Sequence, residues 1–404
     1  MWRSVVCACL VFSSVAANAG AQTPLPADPA ESGGGLQSGP LRLRPRFELL
    51  NAGVDWNVFN EAENPKRDFT ATLRPSLEAV LRLSVVRFVF QGSVDGVYFH
   101  KYEDERALNR TGSIRTELRL HRFVPYVTAS GLAARNRPNN EIDLRAQRDF
   151  NAYGGGAAFL VFSRTAAVFN IQRQRLAYDP GQQFAGEDLA TQFNNHRVSY
   201  DAGARIALTA LTTMSLTGGR EEIRFALSPE RDSDSTRAGV TFEFDPQAIV
   251  TGSASLAYRH FDPSDAGLQA YRGLVSQISI RYAYLDRTMV EFRYLRDVDY
   301  SVEEAQPYYL VNGGTLTLTQ RIGGPIDVQG ILGREARHYR GRIGFDQPPD
   351  RDTDTTDTAA AGLGYRFGDT ARMGITYEFT RRDALDTGRS YDRRRIYSTL
   401  SYGF

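Results

Sequence analysis

Cysteine is almost missing from this chain, which has two, Cys7 and Cys9, and histidine is sparse at five. Both cysteines lie in MWRSVVCACLVFSSVAANAGAQ, where Arg3 precedes an apolar run from Val5 to Val15 and small residues follow at Ala17, Ala19 and Ala21. The pattern predicts a secretory signal peptide over residues 1–21, cleaved after Ala19 or Ala21. The run is shorter than the roughly 18 apolar residues of a retained anchor. Cleavage would remove both cysteines, which excludes disulfide staples and thiolate chemistry from the mature chain. No later stretch is apolar for long enough to form a transmembrane helix, and no long amphipathic helix is legible after Arg46.

An excess of charge is lacking too. Without Arg3, the 48 basic residues come level with the 47 acidic ones, so nothing in the balance calls for nucleic acid or an anionic surface. Lysine is confined to Lys66 and Lys101, and every other base is arginine, the residue suited to fixed bidentate pairing with carboxylates.

No catalytic set assembles from the pattern. His100, His196, His260 and His338 extrapolate to one apolar parity near strand ends, and His121 lies beside a tight turn at the other end. A hydrolase would need His with a nucleophile or paired carboxylates within hydrogen-bond reach. DRDTDTTDT places Asp350, Asp352, Asp354 and Asp357 together, but a calcium loop would need Gly at position 6 and an acid at position 12, where Thr355 and Ala361 stand. It reads as a solvated acidic loop with at most weak cation affinity. Gly154, Gly155 and Gly156 have no following helix or Lys, so they read as close strand approach or a bulge rather than a phosphate loop. No catalytic residue, metal ligand or cofactor is expected.

What the chain does have is alternation. After a flexible lead-in over residues 22–44, runs of period two recur to the last residue. In DFTATLRPSLEAVLRL, Phe69, Leu73, Leu77, Leu81 and Leu83 share one face, while Arg74, Glu78 and Arg82 share the other. SIRTELRL sets Ile114, Leu118 and Leu120 against Arg115, Glu117 and Arg119; RMGITYEF sets Met373, Ile375, Tyr377 and Phe379 against Arg372 and Glu378. A charged face opposed to an apolar one suits a wall with lipid on one side and water on the other.

Connections sort by length. Tight turns fall near Ser84, Arg122, Arg164, Ala210, Pro246, Asp286, Gly324 and Asp369, and longer polar segments such as ENPKRD, DPGQQFAGEDLATQFNN, SVEEAQP and ALDTGRS lie between them. Eight tight turns and nine long loops join eighteen strands, each with room for the ~9 to 11 residues that cross a bilayer. Ambiguous parity near Val127 and Phe159 leaves sixteen or twenty open. The expected fold is all-β: a transmembrane antiparallel up-and-down β-barrel over residues 45–404, in the outer membrane of a Gram-negative cell, with short turns and both termini periplasmic. Tyr and Phe collect near strand ends, as in VYFHKY and PYYL, where interface belts belong.

The inward parity predicts a charged lining of Arg74, Glu78, Arg82, Arg115, Glu117, Arg119, Arg205, Glu243, Arg281, Glu291, Arg293, Arg366, Arg372 and Glu378. Adjacent strands can pair these into ladders, and a surplus of arginine would guide an anionic solute through a hydrated lumen. The last strand, RIYSTLSYGF, turns Ile396, Leu400, Tyr402 and Phe404 to lipid and should pair with the first strand near Phe47 to Phe59.

An exported chain of this length, with short repeated hairpins, VSYDAGARIALTALTTMSLTGG, aromatic ends such as RDVDY and the terminal IYSTLSYGF, resembles the outer-membrane beta-barrel porin type 2 family. The resemblance implies Leu400, Tyr402 and Phe404 as the signal read by the barrel-assembly machinery. It also implies a monomeric conduit working with a periplasmic polysaccharide-export complex to carry an exopolysaccharide or capsular polysaccharide. A general or small-solute porin is the alternative, and a structural or adhesive surface barrel a further one. Outer-membrane lipid is an expected partner, and nucleic acid is not.

Overall fold

In a computed structural model, which describes residues 35–245, 248–285, 287–341 and 353–403, the alternating runs close into one antiparallel barrel. Its eighteen strands are β1 Leu41–Asp55, β2 Asp68–Leu83, β3 Val86–Phe99, β4 Ala107–Leu118, β5 Phe123–Asn136, β6 Ala146–Phe162, β7 Thr165–Tyr178, β8 Asn195–Thr209 and β9 Thr212–Phe225. They continue as β10 Ser233–Phe244, β11 Val250–Pro263, β12 Tyr271–Tyr284, β13 Thr288–Tyr300, β14 Tyr308–Gly323, β15 Ile326–Arg340, β16 Thr353–Phe367, β17 Ala371–Asp383 and β18 Tyr391–Gly403. Each strand pairs with its sequence neighbours, and β18 pairs with β1 to close the ring. Only a few residues separate the strands at each of the eight expected turns, Pro246 and Asp286 themselves lying outside the described residues, and the described long loops join the opposite strand ends. No helix among the described residues is long and apolar enough to cross a membrane.

The outward face is apolar because the strands alternate. Leu73, Val127, Leu332 and Leu363 are each more than half exposed, and no protein layer covers them. Phe159 stands opposite Phe123 in the ladder, and with Val127 it faces outward, which resolves the two positions of ambiguous parity. In β6, a Cβ on Gly156 would lie 2.2 Å from the Phe169 carbonyl oxygen, so the glycine run marks a close strand approach.

Several boundaries differ from the expectation. β1 starts at Leu41 rather than 45, and a short strand, Leu36–Ser38, folds back on it. β1 also ends at Asp55, short of Phe59; it meets the last strand through Phe47 opposite Tyr402, Leu49 opposite Leu400 and Val54 opposite Ile396. A bulge at Asn51, whose φ is 52°, shifts the register within this seam. EDERALNRTG is mostly strand, because β4 begins at Ala107. The acidic segment is corrected as well: Asp354 and Asp357 belong to β16, and Asp354 is buried. Asp350, Asp352, Phe404 and the signal-peptide residues, Ala19 and Ala21 included, lie outside the described residues.

Candidate functional site

The loop at 137–145, between β5 and β6, folds into the barrel instead of standing over it. Asn139 shapes it locally, its side-chain oxygen accepting from the N–H groups of Glu141 and Ile142 at 3.0 Å each. Glu141 is fully buried. Its Oε1 accepts from the Ser301 hydroxyl at 2.7 Å, the Val302 N–H at 3.3 Å and the Tyr339 hydroxyl at 3.3 Å. Its main-chain carbonyl accepts from Arg382 at 3.0 Å and Arg389 at 2.7 Å.

The acceptors and donors around this loop come from the far wall and from the strands and loop beside the closing seam. In a ring of eighteen, β14 and β15 stand opposite β5 and β6. Asn139 donates to the Tyr309 hydroxyl of β14 at 3.3 Å, and Tyr339 belongs to β15. Arg382 of β17 reaches Asp143 at 2.6 Å and Asp354 at 2.8 Å, while Arg137 donates to the Val58 carbonyl at 2.6 Å and Asn60 to Asp143 at 3.0 Å. Glu141, Asn60, Tyr309, Tyr339, Asp354 and Arg382 are buried, so losing a partner would leave a buried donor or acceptor unsatisfied. Burial pushes the Glu141 carboxyl up to about 7, against the pull of the Ser301 hydroxyl and of Arg389, Arg337 and Arg382. Burial likewise lowers Arg137 to about 10.

A second loop, 179–194, fills space beside the first. Its five-residue helix Leu189–Phe193 is capped by Asp188, which accepts from the Thr191 N–H at 2.9 Å. Leu189, Ala190 and Phe193 pack with Ile142 and Ala146 against Tyr178, Ile223, Phe225, Phe261, Tyr300, Val302 and Tyr308. The main apolar core of the molecule is therefore inside the barrel at its long-loop end. Two loops thus occupy part of the barrel interior there.

At the tight-turn end the interior is charged and mostly paired. Glu117 is approached by Arg115 at 2.7 Å and by Arg87 and Arg119 at 3.4 Å each. Asp327 receives Arg366 at 3.0 Å and Arg372 at 2.6 Å, and Glu291 receives Arg281 at 3.5 Å and Arg293. Arg205 meets Glu243 at 3.0 Å and Glu78 meets Arg44 at 3.2 Å; farther along the wall towards the long loops, Arg74 grips Asp95 through two contacts of 2.6 Å and Glu378 accepts from Arg395 at 3.0 Å. Arg82 stands opposite Arg87 in the ladder. The residues read from the sequence thus gather around partners that it did not single out, chiefly Asp327, Asp95, Arg87 and Arg395. Asp327 carried a usable signal, since it follows the Gly324 turn at the same height as Arg366 and Arg372.

The histidines do not converge. His260 accepts from Arg272 at 3.2 Å, His338 is 2.8 Å from the Thr353 hydroxyl, and His100 is 3.4 Å from the Tyr98 hydroxyl. Among the described residues, no group of three or more His, Cys, Asp or Glu is placed to hold a metal ion.

A closed eighteen-strand wall with an internal loop and a charged interior has the form of an outer-membrane pore, and residues 28–403 match the family model described as Putative beta-barrel porin 2. The chain belongs to that family. It is an outer-membrane β-barrel, and porins are transport channels. No curated protein matches it. Among solved structures, it is similar to OccAB3 of Acinetobacter baumannii, at 9% identity and a TM-score of 0.47 over 90% of this chain and 99% of that one. A BenF-like porin from Pseudomonas fluorescens Pf-5 aligns at 10% identity and a TM-score of 0.49, over 90% and 98%. OccK3 (OpdO) of Pseudomonas aeruginosa aligns at 12% and 0.45, over 90% and 95%.

Proposed function

We propose that this porin is a passive, narrow channel for small anionic solutes, with its tight turns and both termini on the periplasmic side. The observation that carries the reading is the attachment of the loop at 137–145 to the opposite wall. A polymer chain moving through the barrel would have to break the buried contacts of Glu141, Asp143 and Arg382 together, whereas a small solute passes beside a fixed loop. The attachment therefore favours small-solute passage over polysaccharide export.

Charge supports the anionic part. Asp327 and Glu291 are each outnumbered two to one by arginine, and Arg293 is among the more exposed of these side chains. The surplus guanidinium charge sits where a solute enters or leaves the periplasmic mouth, and a low-dielectric wall strengthens its field. Leu400 and Tyr402 face outward on β18, where an assembly machine could read them, and Phe404 completes that signal in our reading.

Liposome swelling with a graded series of neutral and anionic solutes tests the proposal. Uptake should fall sharply with size and favour the anion at equal size. Equal permeation of a long oligosaccharide and a monosaccharide would reject it.

A further inference from the structure

The outer wall sorts its arginines differently from the interior. On β7, Phe169, Ile171, Arg173 and Arg175 share the outward parity, so one strand passes from apolar to basic as it approaches the long loops. Arg175 stands directly opposite His196 of β8, and His196 stands opposite Arg224 of β9. On the other side, Arg173 stands opposite Tyr153, which is well exposed.

Arg224 is occupied by Asp234 at 2.7 Å, and Glu222 by Arg220 at 3.0 Å. Arg173 and Arg175 make no hydrogen bond or ion pair among the described residues, and Asp149, which shares their face at the next position along β6, pairs with neither. Inside the barrel most arginines face a carboxylate; on the outer wall, two adjacent exposed guanidinium groups at the upper edge of an apolar surface have none among the described residues and can take an oxyanion from outside the chain.

We propose that Arg173, Arg175 and His196 bind the phosphate of an anionic lipid in the leaflet beside the long loops. Guanidinium groups suit phosphate because two N–H donors match two oxygens. The source is a lipid rather than a free ion because the same face continues without a break into Ile171, Phe169 and Tyr200, against which acyl chains would lie. The site is independent of what the pore conducts.

The test uses the folded full-length mature protein in detergent and native mass spectrometry, with diphosphorylated lipid A as the probe and dephosphorylated lipid A as its comparison. Adducts should form with the first and be much weaker with the second. R173Q/R175Q should reduce adducts by about 25-fold, each arginine near an anionic surface contributing about fivefold. R173K/R175K should retain a large part of them, and R281Q on the inner face should change nothing. Equal binding of the two lipids by the unsubstituted protein would overturn the proposal even if the double variant failed to fold. So would phosphate-dependent binding that R173Q/R175Q left intact.

Discussion

Ser301 and Glu141 are 160 positions apart in the chain, yet the Ser301 hydroxyl donates to Glu141 Oε1 at 2.7 Å in the barrel interior. The contact joins a loop rooted in β5 and β6 to the opposite side of the ring, and with it the Val302 N–H and the Tyr339 hydroxyl lose their water. On the proposed reading, what the pore passes depends on how firmly this bridge holds.

Glu141→Ala removes one acceptor from three donors, and each donor left unsatisfied costs about 1–3 kcal/mol. The loop at 137–145 should detach while the wall stays folded. Single-channel conductance should rise, with added open-channel noise, and hydrogen exchange should quicken across that loop. Unchanged conductance would mean that the loop does not limit flow.

The bridge should also respond to pH. Burial raises the Glu141 carboxyl from 4.5 to about 7, so the docked loop holds this proton more tightly than a loop released into water. Docking is strongest below the released value, weakens as pH rises from 4.5 towards 7, and levels off above that. Conductance should therefore increase across this window, and Glu141→Gln should flatten the rise. Identical pH profiles for the two proteins would assign the dependence to another group.

Selectivity should follow the clusters at the tight-turn end. Replacing Arg281, Arg293 and Arg372 with Gln should move the reversal potential in a salt gradient towards cations. Asp327→Asn should move it the other way, because Arg366 and Arg372 would keep their charge without their shared carboxylate. Two shifts of the same sign would show that these groups only brace the wall.

The closing seam makes a stability prediction. A Cβ on Gly53 would lie 2.0 Å from the Ile396 carbonyl oxygen and 2.5 Å from the Tyr397 Cα, both main-chain atoms that cannot swing aside. Gly53→Ala should loosen the pairing of β1 with β18, lowering the temperature at which the folded band converts to the unfolded one on semi-native gels. Gly323→Ala, with nothing within 4 Å, should leave it unchanged.

Much of the wall was legible because it rests on local rules. Alternation such as Leu73, Arg74 and Leu77, and the spacing of eight turns, depend only on neighbours in sequence, and they lead to eighteen strands. The bridge was not legible, since NRPNNEIDLRAQRD looks like any polar loop until Glu141 meets Ser301 and Tyr339 from distant strands. Asp354 was misread for a related reason. Its acidic neighbours resemble solvated loop, and only the approach of Arg382 and Arg337 makes its burial in β16 affordable. Arg395 stands directly opposite Glu378 on the neighbouring strand, and Asp327 takes Arg366 from the next strand and Arg372 from the one beyond; the period of a single strand does not contain the register that sets such partners.

The central claim is that the bridged loop makes this a channel for small solutes, and the most direct measurement is conductance in planar bilayers with a long acidic polysaccharide added to either side. The bridge predicts steady current for small anions with no polymer reaching the far chamber, and polymer passage or block only after Glu141→Ala. Translocation of the polymer through the unsubstituted pore would contradict the account.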